Sequence, residues 1–136
     1  MSNTIIRATL INKLRTWADA QVPKIPIAYE NASFTKPLTG GFLQPTLVPN
    51  LTMSHELSGV RQTMLGIFEI LCWYPSTKGM VGADALSDSV NALFPLLPKI
   101  GNVHMQNINH TSRPMLDDSG WIVVSVTIPY RYETVN

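Results

Sequence analysis

The stretch from Gly59 to Pro75, GVRQTMLGIFEILCWYP, constrains this chain most, because it reads as one long strand with apolar side chains on both faces. A strand with one wet face alternates apolar and polar residues, so two apolar faces need cover on both sides. In a chain of 136 residues, something besides its own core is expected to cover one of them. Other copies of the chain are the expected cover.

The length fits a single domain, 1–136, large enough to bury a core without disulfides or metal. Charged residues make up 14% of the chain, well under the roughly 25% of ordinary soluble domains, which again predicts a surface that partly buries itself in contacts. The ten Lys and Arg, against nine Asp and Glu, are scattered from Arg7 to Arg131 without a run, so no electrostatic footprint for nucleic acid is present. No eighteen apolar residues run together, and the start of the chain lacks a basic region followed by an apolar core, so neither a membrane span nor a secretion signal is predicted. Cys72, the single cysteine, lies within the apolar strand and reads as a small buried hydrophobe suited to a reducing compartment.

Ser2, Asn3 or Thr4 can cap a helix whose apolar positions Ile6, Leu10, Leu14 and Trp17 recur at helical spacing, ending before Pro23. Residues 25–30 read as a short strand confined by Pro23 and Pro26 to a start or an edge. Residues 31–58 carry Pro37, Pro45, Pro49 and Gly40-Gly41, with a plausible strand only at 41–48. This connection is long for a compact domain, and its apolar residues argue against simple solvation. It either reaches a neighbouring subunit or forms a long β-hairpin on its own sheet. After a turn at Tyr74-Pro75 and Gly79, residues 82–94 read as a helix with Ala83, Leu86, Val90, Leu93 and Phe94 on one face. A weaker strand near 103–115 and a strong one at 121–133 follow, joined by the Asp117-Asp118-Ser119-Gly120 turn. In the last strand Ile122, Val124, Val126, Ile128, Tyr130 and Tyr132 share the face expected to meet the core. The fold class is therefore α+β: a mainly antiparallel sheet of four to five strands with two helices packed on one face.

No catalytic, cofactor or metal residues emerge. His55-Glu56 has no second histidine four positions on, because residue 59 is glycine. His104 and His110 would lie roughly 20 Å apart along an extended chain. Asp117 and Asp118, followed by Ser-Gly, read as turn residues. Lys78-Gly79-Met80-Val81-Gly82 before a helix could hold a phosphate, and it loosely resembles the Gly-x-x-Gly loop of KH modules. A strand precedes it here instead of a helix, however, and the rest of the loop has no basic residue. A nucleic-acid or nucleotide-binding module using this loop is the alternative of another class. Trp17 reads as core. Trp73 lies with Leu65, Ile67 and Leu71 on one face of the central strand, and that face reads as a subunit contact.

Gly66-Ile67-Phe68-Glu69-Ile70, Trp73-Tyr74-Pro75, Gly79, Ala83, Leu86, Phe94, Pro114, and Gly120-Trp121 before Val124, Val126 and Ile128-Pro129-Tyr130 resemble the pattern of bacteriophage tail terminator-like proteins, relatives of the lambda minor tail protein U. Glu30-Asn31, Phe34, Pro37 and Phe42-Leu43 extend the likeness upstream, so that it covers roughly residues 25–132. The resemblance implies a structural phage or prophage protein without catalytic residues. It would be made in the host cytoplasm and carried in the virion at the junction of tail and head. It further implies a homohexameric ring that caps the tail tube and joins it to the head, with itself, the tail tube protein and a head-completion or connector protein as partners. Another neck or connector protein of similar fold is the nearest alternative. A ring needs one patch to meet a different patch on the next copy. Leu65, Ile67, Leu71 and Trp73 are the expected first patch, and Phe42, Leu43 and Leu47 the expected second.

Overall fold

Four apolar residues one turn apart start the fold. In the computed structural model, helix α1 (Ser2–Ala20) buries Ile6, Leu10, Leu14 and Ala18 completely and packs the half-buried Trp17 against them. The structure describes residues 2–22, 24–30, 32–35, 40–54, 61–95, 103–105, 110–112, 115–116 and 120–135. The turn expected at 117–119 and the His55-Glu56 pair lie outside them. Among the described residues no helix is long and apolar enough to cross a membrane.

The strand expected at 25–30 does not form. Ile27 makes a single parallel bridge to Leu43. The Ala28 N–H donates to the Leu43 carbonyl at 2.7 Å, and the Leu43 N–H donates to the Pro26 carbonyl at 3.0 Å. Pro26 itself has no N–H to extend a ladder. The next donor along, the Leu47 N–H, is taken at 3.1 Å by the Glu30 side chain instead of by a strand.

Strands β1 (Phe42–Ser54) and β2 (Arg61–Pro75) form an antiparallel hairpin, so the part of the long connection from 42 onward folds back on its own sheet. A short 3-10 turn (Ser76–Lys78) leads into helix α2 (Met80–Leu93). The chain then lays three short strands, β3 (Val103–Met105), β4 (His110–Thr111) and β5 (Met115–Leu116), in succession along one edge of β6 (Trp121–Val135). They replace the one weak strand expected near 103–115. β6 pairs with β2 over all fifteen residues, from Arg61↔Val135 to Pro75↔Trp121. The open sheet is thus four rows wide in the order β1-β2-β6-β3, with β4 and β5 sharing the outermost row.

Register decides the core. Phe68, Ile70 and Cys72 of β2 lie beside Leu47, Pro45 and Leu43 of β1 on one side and Ile128, Val126 and Val124 of β6 on the other. The apolar members of this face form one buried cluster with Ile6, Leu10 and Leu14 of α1 and Ala83, Leu86 and Val90 of α2. Phe94, just past α2, meets Phe68 edge to face at 5.7 Å. All six residues expected on the inner face of β6, from Ile122 to Tyr132, are buried.

Tyr130 is the largest fully buried side chain, and Gly66 is the residue paired with it across the β2–β6 ladder. A Cβ at position 66 would lie 2.4 Å from the Tyr130 Oη and 2.7 Å from both its Cζ and the Val48 carbonyl oxygen, so this strand-interior position takes only glycine. The Tyr130 hydroxyl is buried without a hydrogen-bond partner among the described residues. Burial pushes its pKa up, and the charge of Arg7 opposes that in part.

Gly66→Ala is expected to destabilise the fold by about 1–3 kcal/mol through overpacking, read as a lower midpoint in urea or thermal unfolding. Tyr130→Phe alone should be neutral or stabilising, because it removes an unpaired buried hydroxyl. In the double variant it should recover part of the Gly66→Ala loss, the contacts with the ring Cζ and with the Val48 carbonyl remaining.

Candidate subunit interface

Strand alternation turns every second side chain of β2 away from the helices. Leu65, Ile67, Glu69, Leu71 and Trp73 therefore line the outer face of the sheet, opposite the core. Cross-strand pairing sets their neighbours: Val48 and Pro129 flank Ile67, Thr46 and Thr127 flank Glu69, Gln44 and Ser125 flank Leu71, and Phe42 and Val123 flank Trp73. Val48 is 46% and Ile67 37% exposed, whereas Leu65, Leu71, Trp73, Val123 and Pro129 are half-buried. The middle of this face is a column of apolar β2 side chains, interrupted by Glu69 and flanked by the polar Gln44, Thr46, Ser125 and Thr127.

One end of the face closes on itself. The Phe42 ring stacks on Trp73 at 5.8 Å, meets Trp121 edge to face at 5.2 Å and lies 5.0 Å from Phe34. The Trp73 indole N–H donates to the Gln44 Oε1 at 3.1 Å, fixing the ring against β1. Phe42 is left only 3% exposed.

The structure separates the residues expected to form a second patch. Leu43 and Leu47 point into the core, while Phe42 points outward beneath the aromatic cluster. With a period of two along a strand, residue 42 cannot share a face with 43 and 47. The expected patch of Phe42, Leu43 and Leu47 is therefore no exposed surface of the single chain. Exposed apolar residues occur elsewhere. Met115 and Leu116 of β5 pair with Val123 and Ile122, and Met80 and Val81 open α2 just beyond the end of β2. The pairing of Met115 with Val123 places Met115 on the outer face.

Much of the β1 edge of the sheet is blocked. On β1 the backbone groups of residues 43, 45, 47 and 49 point outward. Leu43 and Leu47 donate to Pro26 and Glu30, and Pro45 and Pro49 have no N–H. Glu30 also meets the Arg7 guanidinium at 3.6 Å, tying α1 to this edge. Such an edge offers no donor row to a foreign strand. The far edge of β6 carries β3, β4 and β5.

On the opposite layer, a groove of about 450 Å³ runs between the ends of the helices, lined mainly by Thr9, Lys13, Thr16, Trp17, Ala20 and Leu93.

The other chemical candidates resolve into structure. Cys72 is fully buried in the core, and burial pushes its pKa up to about 12. His104 pairs with Arg131 and His110 with Thr127, four positions apart on β6, so their backbones lie about 13 Å apart along the sheet instead of the 20 Å expected of one continuous strand. No group of three or more potential metal ligands occurs among the described residues. In the loop at 78–82, Gly79 turns at φ 79° and Gly82 lies against Tyr74, whose ring a Cβ would meet at 2.3 Å. The strand-to-helix turn thus accounts for both glycines.

Fold and face together define a small α+β domain that offers an apolar sheet surface, and no reacting constellation is seen among its described residues. The sequence model of the phage tail terminator protein family matches residues 5–130, and the chain belongs to that family. It is a family of structural phage proteins and not of enzymes. A solved structure whose title states no function is 27% identical, with a TM-score of 0.79 over 97% of this chain and 96% of that one. A chain from the virion of a native gene transfer agent particle is 15% identical and shares the fold, with a TM-score of 0.60 over 93% of this chain and 92% of that one. No match was found among curated protein sequences.

In the native protein Cys72 should resist iodoacetamide at pH 8, reacting two to three orders of magnitude more slowly than after unfolding, as about three units of raised pKa require. Because the folded state holds this proton more tightly, the stabilisation is complete below about pH 9 and is lost as pH rises toward about 12. Cys72→Ala should flatten that alkaline decline, measured by urea unfolding at a series of pH values.

Proposed function

We propose that this chain is the subunit of a ring, six copies around, that caps the phage tail tube at its head-proximal end and joins it to the head. The observation that carries the reading is the apolar outer face of β2, which neither helix covers although the strand is the best-paired element of the fold. A soluble domain seldom leaves such a band open unless another protein covers it. Family membership makes the tail the setting, and the related fold in a gene transfer agent virion fits a place in the assembled particle.

A ring closes through heterologous contacts, so the outer face of one copy meets a different surface of the next. The partners on this reading are further copies of the chain, the tail tube protein and a head-completion protein. Ring formation on the tube end fits a domain of this size, because binding a preformed template offsets the entropy lost on association.

The test is mass by light scattering across concentration, with and without the tail tube protein. A hexamer, or a ring that forms only with the tube, supports the reading. A monomer indifferent to the tube overturns it. Ile67→Asp is expected to raise the concentration needed for assembly at least tenfold while changing unfolding stability by no more than about 1 kcal/mol. A variant that assembles like the wild type would exclude the outer face of β2 as a ring contact.

A further inference from the structure

Covering the outer face sets a condition on whatever covers it. Glu69 stands at the centre of the apolar band, half-buried between Ile67 and Leu71 along β2 and between Thr46 and Thr127 across it. Among the described residues it has neither an ion pair nor a hydrogen bond. A carboxylate buried under a partner without a counter-charge or hydrogen-bond donors is strongly unfavourable, so a covering surface that brings a cation to this point is favoured over one that brings none.

The sheet edges favour a contact made through faces. The β1 edge has no free N–H from residue 43 to 49, and the far edge of β6 already carries three short strands. Strand addition is therefore not offered along residues 43–49 of β1, and the opposite edge is broken into short strands. From Leu65 to Trp73 the outer face runs about 27 Å, and the three rows of β1, β2 and β6 are about 14 Å wide. That is roughly 380 Å² in plan, before the corrugation of side chains is counted, and about half of the ~800 Å² that each partner gives to a standard interface.

On the opposite layer of the same domain, Lys13 borders the groove whose apolar lining comes from Trp17, Leu93 and Ala20. Lys13 is exposed and pairs with no carboxylate among the described residues. Arg7 is engaged by Glu30, Arg131 by Glu133, and Arg15 donates to Asn12, while Lys24, exposed and likewise without an ion pair among the described residues, is not part of the groove lining. An apolar surface with an unpaired acid on one side of the domain is thus complemented by an apolar groove with an unpaired base on the other. Resting on the ring reading above, we infer that each copy seats the outer face of its sheet on the α1–α2 groove of the next, with Glu69 meeting Lys13 of that neighbour. The arrangement is heterologous, as a ring requires, and the charge pair fixes the register of two otherwise apolar surfaces.

A charge-swap cycle tests it, with assembly followed by light scattering in the presence of the tail tube protein. Glu69→Lys and Lys13→Glu should each raise the concentration for half-assembly at least tenfold. The double variant carrying both should return to within about threefold of the wild type. Unchanged thermal unfolding of each variant separates assembly from folding. As a second readout, Glu69→Cys combined with Lys13→Cys should give on oxidation a ladder of covalent species extending beyond the dimer, while either cysteine alone stops at dimers. A double swap that recovers nothing, or a double-cysteine protein that stops at dimers, overturns the pairing. Loss of assembly with Glu69→Lys but not with Lys13→Glu also overturns it, and gives the counter-charge to another protein. A wild-type chain that stays monomeric with and without the tube instead removes the ring reading, and this inference with it.

Discussion

The rest of the structure depends on β2 being hydrogen-bonded on both sides. β1 takes one side of it and β6 the other, the latter over the whole of fifteen residues. A strand of that length spans about 50 Å, whereas α1 with nineteen residues spans about 28 Å and α2 with fourteen about 21 Å. Two such helices can cover one face of the sheet. Their buried residues join one cluster with Phe68, Ile70 and Cys72, and no further helix is available among the described residues to cover Leu65, Ile67 and Leu71. The apolar outer face follows from this shortage of cover, because the strand is apolar on both sides and the layer above it is not.

The same arithmetic explains how the edges are treated. A long, flat, apolar sheet is prone to pair with any strand it meets. Here Pro45 and Pro49 stand at two outward-pointing positions of β1, the Pro26 carbonyl and the Glu30 carboxylate take the donors at the two others, Leu43 and Leu47, and the opposite edge is made of three short strands. Pro26, Glu30, Pro45 and Pro49 thus limit how this part of the sheet can be extended. The Arg7–Glu30 contact adds little energy of its own, being half-exposed. It does hold the carboxylate where the Leu47 N–H needs it.

Much of the architecture was legible because it is local. The period of Ile6, Leu10 and Leu14 fixed α1, the alternation from Ile122 to Tyr132 fixed both the strand and its inner face, and glycine and proline marked the turn between β2 and α2. What the sequence hid is set by long-range pairing. Residues 25–30 have strand composition but make one parallel bridge, since their only partner is a β1 already bound to β2. Residues 103–105, 110–111 and 115–116 each pair with β6 and follow its edge, a partner far away in the chain. At the candidate interface, composition alone grouped Phe42 with Leu43 and Leu47. The register to β2 puts the first on one face and the other two in the core. The groove bordered by Lys13 left no trace in the sequence at all, because it arises from two helices distant in the chain.

A surface meant for assembly has to keep the free subunit soluble, and the outer face does so by graded exposure. Its most apolar end is covered from within, where Phe34, Phe42, Trp73 and Trp121 pack on one another and Gln44 takes the indole N–H. Its middle stays open but holds Glu69 between two threonines, and its far end carries the Arg131–Glu133 pair. The open band is therefore narrow, and a charge interrupts it. Non-specific collapse onto such a band would bury Glu69 unpaired, whereas a partner that brings a cation in register does not incur that cost. In this way one carboxylate discourages random association and favours the matching surface, using repulsion from the wrong partner as well as attraction to the right one.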